Sequence, residues 1–161
     1  MIDAGEIQVV VFGLGAEAFA LPVVSGREIL DHQTAFRVPN APVWLCGLID
    51  VRGLSVPVVD LRQRLGLAPA AATLATRILV VDVTLEDDRA LTLGLVVDRV
   101  LDVSSFDRGA IEASPDVGIR WRSEHIEGIL RRGGGFIVLL DLRHIVAADA
   151  DLLIAPLDEA A

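Results

Sequence analysis

The chain has 161 residues, 53% hydrophobic and only 4% aromatic, so Val, Leu, Ile and Ala supply a core large enough for one domain. Its formal net charge of -9, from 23 acidic and 14 basic residues with no basic run, repels phosphate backbones and argues against nucleic acid as a partner. The single cysteine, Cys46, excludes an internal disulfide framework and a cysteine-held metal. No signal-peptide pattern opens the sequence and no apolar run reaches about 18 residues, so a cytoplasmic protein without direct membrane insertion is expected.

Taken in order, IQVVVFG (7–13) and AFALPVV (18–24) are short apolar runs. In the second, Phe19, Leu21 and Val23 recur with the period of a strand. Between the two runs, Gly13-Leu14-Gly15-Ala16-Glu17-Ala18 spells G-x-G-x-x-A, the pattern of a dinucleotide-binding turn. Such a turn needs a helix of about ten residues directly after its glycines. Pro22 and the β-branched pair Val23-Val24 would fall inside that helix, and an interior proline costs about 3 kcal/mol. A β-hairpin is therefore expected, with a dinucleotide-dependent enzyme built on GLGAEA as the less favoured alternative.

WLCGLIDV (44–51), LSVPVVDL (54–61), RILVVDVT (77–84), LTLGLVVDRVLDV (91–103) and FIVLL (136–140) read as further strands, separated by Gly, Pro and charged residues. A short helix is expected near 60–66, opened by Asp60 as N-cap and closed at Gly66. APAAATLAT (68–76) is a small-residue linker. DLRHIVAADADLL (141–153) predicts a C-terminal helix with Leu142, Ile145 and Val146 on one face. Many short, closely spaced strands indicate an all-β barrel or sandwich. No repeat with a period of about 20–50 residues is visible. The expected division is a tail over 1–6, one domain over 7–148 and a tail over 149–161.

No catalytic constellation emerges. His32, His125 and His144 each stand alone, without a second ligand at metal spacing. Cys46 lies in an apolar strand beside Trp44 and Leu48 and reads as a small buried hydrophobe. Ser55, in GLSVP, lacks the second glycine of a nucleophile elbow. No cofactor or metal is expected, and a compact β domain without such groups reads as a binding module. One segment, PNAPVWLCGLIDVRGLSVPVVDLRQRLGL (39–67), sets Arg52-Gly53 between two strands, where glycine permits a tight turn. Arg52 is then either presented beside apolar walls or simply held in water.

That segment resembles the signature of CheW-like domains, the coupling proteins of bacterial chemosensory arrays. The matching residues are Pro39-Asn40-Ala41-Pro42, Gly47-Leu48-Ile49-Asp50-Val51-Arg52-Gly53, Pro57-Val58-Val59-Asp60-Leu61-Arg62 and Leu65-Gly66-Leu67. Val11-Phe12, Leu14-Gly15 and Phe19 resemble the family's opening hairpin. Gly94-Leu95-Val96-Val97-Asp98-Arg99-Val100, Ile111 to Pro115, Ile126-Glu127-Gly128 and Ile137 to Asp141 carry the resemblance through the rest of the chain.

The resemblance implies two SH3-like five-stranded β-barrels around a shared hydrophobic core. It implies a non-catalytic adaptor that couples methyl-accepting chemoreceptors to the regulatory domain of the histidine kinase CheA, at membrane-bound receptor arrays. The receptor's helical-hairpin tip would dock in an apolar groove between the barrels. Arg52 matches the arginine most associated with receptor contact, Glu28 and Ile29 match a Glu-Ile pair on the neighbouring strand, and Asp50, beside Arg52, is counted in the same receptor-binding set. Gly47, Gly128 and the turn Pro115-Asp116-Val117 match positions implicated in packing or in kinase and ring contacts, the latter with other CheW-like domains. A CheW-like competitor or regulator in a non-flagellar chemosensory pathway is the alternative. Two departures stand out: Gly26 occupies a usual Val position, and Asp50 a usual Asn position. On a strand Asp50 would share a face with Arg52 and offer it an internal partner.

Overall fold

A computed structural model describes residues 5–85, 88–113, 125–147, 149 and 153. Strands β1 (Glu6–Leu14) and β2 (Glu17–Pro22) form the opening hairpin, and a 3-10 turn (Val23–Ser25) leads into β3 (Gly26–Asp31). A second hairpin of β4 (Leu45–Val51) and β5 (Leu54–Asp60) runs straight into α1 (Leu61–Arg64). Then come β6 (Arg77–Thr84), β7 (Ala90–Val97), β8 (Arg99–Asp107), a 3-10 turn (Arg108–Ala110), β9 (Ile126–Arg132), β10 (Gly135–Leu140) and α2 (Leu142–Ala147).

Two five-stranded sheets result, in the orders β8-β1-β2-β10-β9 and β3-β6-β7-β5-β4. We call them the terminal and the central barrel. Each curls until the chain just beyond its first strand meets its last. Phe36, beyond β3, exchanges two 2.8 Å backbone hydrogen bonds with Leu48 of β4. Glu112, beyond β8, does the same with Ile129 of β9, again at 2.8 Å. Closure of this kind removes the exposed sheet edge that would otherwise template aggregation.

The two barrels are built alike. Each contains one parallel pair, β5 with β7 and β10 with β2, in otherwise antiparallel sheets. A gapless shift of 81 residues lays 47–66 on 128–147, matching Gly47 with Gly128, Gly53 with Gly134, and Asp60-Leu61-Arg62 with Asp141-Leu142-Arg143. The two hairpin turns share their backbone conformation as well, with φ of 53° and 82° at Arg52 and Gly53 and of 59° and 81° at Gly133 and Gly134. The duplication has a period of 81 residues, longer than that of solenoid repeats, and it is permuted, because β1 and β2 precede the strands they complete.

Three cores follow from strands buried on both faces. Ile7, Val9 and Val11 fill the terminal barrel, while Phe12 and Leu14, on the opposite face of β1, join a core shared by the barrels. In β6, Ile78 and Val80 fill the central barrel while Leu79, Val81 and Val83 point into the shared core. Double-sided burial explains why these strands read as near-continuous apolar runs. The shared core includes Phe12 and Phe19, whose rings stack at 6.1 Å, and it is capped by Leu61, Leu142, Ile145 and Val146 of the two helices. Buried Leu153 also belongs to it.

Several element boundaries differ from the sequence expectation. The apolar run 91–103 is two strands in different barrels, because Asp98 leaves the ladder: its backbone N–H donates to Gly13 at 3.0 Å and its carboxylate turns to other partners. Val23 and Val24 form a 3-10 turn rather than the end of a strand, since Pro22 has no N–H to continue the ladder. The C-terminal helix is described over Leu142–Ala147, within the expected 141–153, with Leu142, Ile145 and Val146 buried as the periodicity predicts. Strand β3 escaped the pattern because it begins at a glycine and its described side chains are half-buried, as Glu28 and Leu30, or exposed, as Ile29 and Asp31.

Candidate functional site

The β4–β5 hairpin turns through Arg52 and Gly53, both at positive φ, the two-residue type whose twist suits a hairpin. The Gly53 N–H donates to Asp50 Oδ1 at 2.8 Å, so Asp50 caps the turn. Arg52 donates instead to Glu28 Oε1 on β3, also at 2.8 Å. The expectation that Asp50 holds Arg52 is therefore corrected: the chain leaves the strand at Arg52, and the same-face rule for alternate residues ends there. The Arg52 side chain is 81% exposed and that of Glu28 19%. Water screens such a pair to about 0.2–1 kcal/mol, so the guanidinium is held in place yet readily exchanged to another acceptor.

Next to Glu28, Ile29 points outward and is almost half exposed. It lines an apolar cavity of about 190 Å³ at the seam between barrels, with Val10 and Leu21 of the terminal barrel and Leu79 and Val81 of the central one. Val23 and Gly26 lie in the same wall, and Val24, next in the chain after Val23, is exposed. Thus Arg52, Glu28 and Ile29, 24 residues apart in sequence at their extremes, meet on one rim.

Gly47 and Gly128 sit elsewhere, at the two closure points. A Cβ on Gly47 would collide with the Phe36 carbonyl, lying 2.7 Å from its carbon, and φ is +142°. A Cβ on Gly128 would clash with the Ile111 side chain and lie 3.0 Å from the Glu112 carbonyl oxygen. Both glycines therefore have a packing reason. Pro115, Asp116 and Val117 lie outside the described residues.

The GLGAEA turn is a hairpin, and β2 occupies the residues where a dinucleotide site needs a helix. Its amide is already taken: Gly15 N–H donates to Asp98 Oδ2 at 2.6 Å, a carboxylate standing where a phosphate would have to bind. Arg99 lies over Gly13, where a Cβ would come within 2.6 Å of its Cζ, and donates to the Gly15 carbonyl at 2.8 Å. Arg62 of α1 grips Asp98 with Nε at 2.9 Å and Nη2 at 2.7 Å. That grip, followed by the Gly15 N–H and the charge of Arg99, holds the Asp98 carboxyl below its ordinary range against the opposing effect of burial. This knot joins two signature stretches whose contact no local pattern signals.

Burial, followed by the nearby Asp60 carboxylate, pushes the Cys46 thiol up to about 11, the behaviour of a packed side chain rather than a nucleophile. His144 Nδ1 pairs with Asp141 at 2.7 Å. Among the described residues no group of His, Cys, Asp and Glu could hold a metal, and no helix is long and apolar enough to cross a membrane.

Residues 8–150 match the CheW-like domain. The chain belongs to the CheW-like domain family. It is 30% identical over 141 residues to a probable chemotaxis protein CheW of Rhizobium etli, covering 88% of each chain. It is 28% identical over 155 residues to the chemotaxis protein CheW of Bacillus subtilis, covering 96% of each. The crystal structure of the scaffolding protein TtCheW from Thermoanaerobacter tengcongensis superposes with a TM-score of 0.78 at 26% identity, covering 89% of each chain. The family assignment and the two-barrel fold implied by the resemblance thus stand together.

Proposed function

We propose that this chain is a non-catalytic adaptor that joins the cytoplasmic tip of methyl-accepting chemoreceptors to the regulatory domain of a CheA-type histidine kinase. The observation that carries the reading is the rim itself. An exposed guanidinium, pinned by a half-buried carboxylate, stands beside an outward-facing isoleucine and an apolar cavity at the seam of the barrels. An amphipathic helix could lay its apolar stripe over Ile29 and Val24 while offering Arg52 a carboxylate or a terminal carbonyl. Glu28 sets the direction of Arg52 before the partner arrives. Gly26 gives this wall less side-chain volume than the valine usual in the family, which adapts the site to a receptor of its own chemosensory system.

Kinase contact, and ring contact with other CheW-like domains, are assigned to a barrel end near Gly47 or Gly128. Each such interface can be weak, because an array supplies many of them at once. The adaptor works at the cytoplasmic face of membrane-bound receptor arrays and transmits by how it holds its partners.

The test is a reconstituted mixture of receptor fragment, CheA-type kinase and this protein. Arg52→Glu should reduce receptor co-sedimentation and receptor-stimulated phosphorylation by about tenfold or more, as loss of a central charged contact does. Unchanged values for both would defeat the site assignment. Inhibition by the wild-type protein of a mixture already active with another coupling protein would favour the competitor reading.

A further inference from the structure

The chain passes between the barrels twice, from β2 to β3 through Val23–Ser25 and from β7 to β8 through Asp98. The duplication makes these passages equivalent. Val58 and Leu139 correspond under the 81-residue shift, and they face Gly94 and Ala20 in the two parallel pairs. Gly94 and Ala20 pair with Val80 and Val11, which pair with Glu28 and Asp102. A gapless shift of 74 residues, matching Ala20 with Gly94 and Glu28 with Asp102, therefore lays Val24 on Asp98 and Ser25 on Arg99. A shift of 69, matching Val11 with Val80, lays Gly13 and Gly15 on Asp82 and Thr84.

Only the second passage carries a carboxylate. Asp98 accepts from the Gly15 N–H of the terminal barrel at 2.6 Å and from Arg62, in the helix of the central barrel, at 2.7 and 2.9 Å. Its own N–H donates to the Gly13 carbonyl at 3.0 Å, and Arg99 donates to the Gly15 carbonyl at 2.8 Å. At the equivalent passage stands Val24, 92% exposed and without a polar side-chain atom. The place that corresponds to the knot is a polar cavity of about 400 Å³. Its walls carry the counterparts of the knot: Asp82 and Thr84 for Gly13 and Gly15, Ser25 for Arg99, and Arg143 for Arg62.

We propose that Asp98 is a positioning residue: with Arg62 and Gly15 it fixes the angle between the barrels, and the cavity at the other passage is the room into which they turn if the knot is broken. Burial in the shared core holds the barrels together, but apolar cohesion has no preferred direction. Charge-assisted hydrogen bonds need short distances and aligned donors, and Arg62 presents its N–H groups in a fixed fork. The knot thus selects one orientation among those that keep the core covered. A turn about Asp98 moves the Val23–Ser25 passage most, because Val24 offers no such anchor and Ser25 borders the cavity. Strand β3 begins there and carries Glu28 and Ile29. Under the adaptor reading, on which this last step rests, the knot governs how receptor and kinase are coupled without itself being a contact.

The experiment measures residual dipolar couplings on the full chain in solution, fitting one alignment tensor to β1, β2 and β8–β10 and another to β3–β7. In the wild type the two tensors should coincide. In Asp98→Asn they should differ in orientation by on the order of 10°, while each barrel still fits its own tensor. A knot that only adds stability would lower Tm and leave the tensors coincident, and that result would overturn the proposal. If Asp98→Asn does not fold, Arg62→Lys, which keeps the charge and loses the fork, takes its place with the same expectation. Ser25→Trp, which fills the cavity, should bring the tensors of Asp98→Asn back together; tensors as far apart as before would overturn the role of the cavity. In the reconstituted mixture, Asp98→Asn should reduce receptor-stimulated phosphorylation about threefold or more, with binding to receptor fragment and to kinase, each measured alone, within about twofold of wild type. Wild-type stimulation by a protein with turned barrels would overturn the role of the angle in coupling. If the wild type couples no receptor to the kinase, the adaptor reading fails, and the tensors still decide whether Asp98 sets the angle.

Discussion

Replacing Gly47 with alanine adds one methyl group where the central barrel closes. That methyl would lie 2.7 Å from the Phe36 carbonyl carbon and 3.2 Å from the Ala35 Cβ, against backbone that cannot rotate away. To relieve the overlap, the Phe36 strand must separate from Leu48 and give up two 2.8 Å hydrogen bonds. At φ = +142° an alanine is also strained in its own backbone, by about 1–3 kcal/mol. Two hydrogen bonds at about 1 kcal/mol each bring the cost to about 3–5 kcal/mol. For a chain of this size that lowers Tm by about 6–20 °C, measurable by differential scanning calorimetry. Gly53→Ala is the control: φ is +82° but nothing lies within 4 Å of the new methyl, so only about 1–2 kcal/mol of turn strain is expected. Equal melting temperatures for the two variants would refute the closure argument. A Gly47→Ala protein with native stability but no kinase stimulation would return Gly47 to a contact role.

Other expectations follow from single side chains. Asp98→Asn removes the charge from Arg62 and Gly15 and should cost about 2–3 kcal/mol in urea unfolding. Its pH dependence has a definite sign: a carboxyl held low by folding contributes above its unfolded pKa, near 3.9, and that contribution drains away as pH falls through the lower folded value, so wild type and variant should converge only in acid. With its thiol moved from 9.0 to about 11, Cys46 should react with a maleimide about a hundredfold more slowly in the native protein than in guanidinium, and equal rates would contradict its packing. Arg64 donates to the Ile145 carbonyl at 2.5 Å and to Asp149 at 2.9 Å, with its guanidinium 5.5 Å from the Trp44 ring. Arg64→Ala should therefore shift Trp44 fluorescence and lower stability by about 1–3 kcal/mol, while leaving α1 and α2 in place by circular dichroism.

What could be read in advance depended on range. Strand runs, the Asp60 cap and the apolar face of α2 are local, and periodicity or a single residue's geometry reveals them. The hairpin at Gly13–Gly15 was legible because Pro22 forbids the competing helix. The turn at Arg52-Gly53 was legible as well, but the side-chain partner was not. Choosing between Asp50, two residues away, and Glu28, 24 residues away, requires knowing that β3 closes onto β4 through Phe36. Asp98 shows the same limit: inside the strand-like run 91–103 it resembles an exposed strand residue, and only folding brings Arg62 and the Gly15 amide to it. The duplication escaped notice because five identities in twenty positions are faint without the strand registers.

Synthesis order gives the permuted architecture a further meaning. The central barrel is one contiguous stretch from β3 to β7, so it can close as soon as those residues leave the ribosome. The β1–β2 hairpin emerges earlier, with an apolar face on each side, yet its partners β8, β9 and β10 are made last. The closed central barrel can shelter Phe12, Leu14 and Phe19 during that interval, leaving Ile7, Val9 and Val11 uncovered until the final strands arrive. A nascent chain stalled before β9 should thus be the form that chaperones hold.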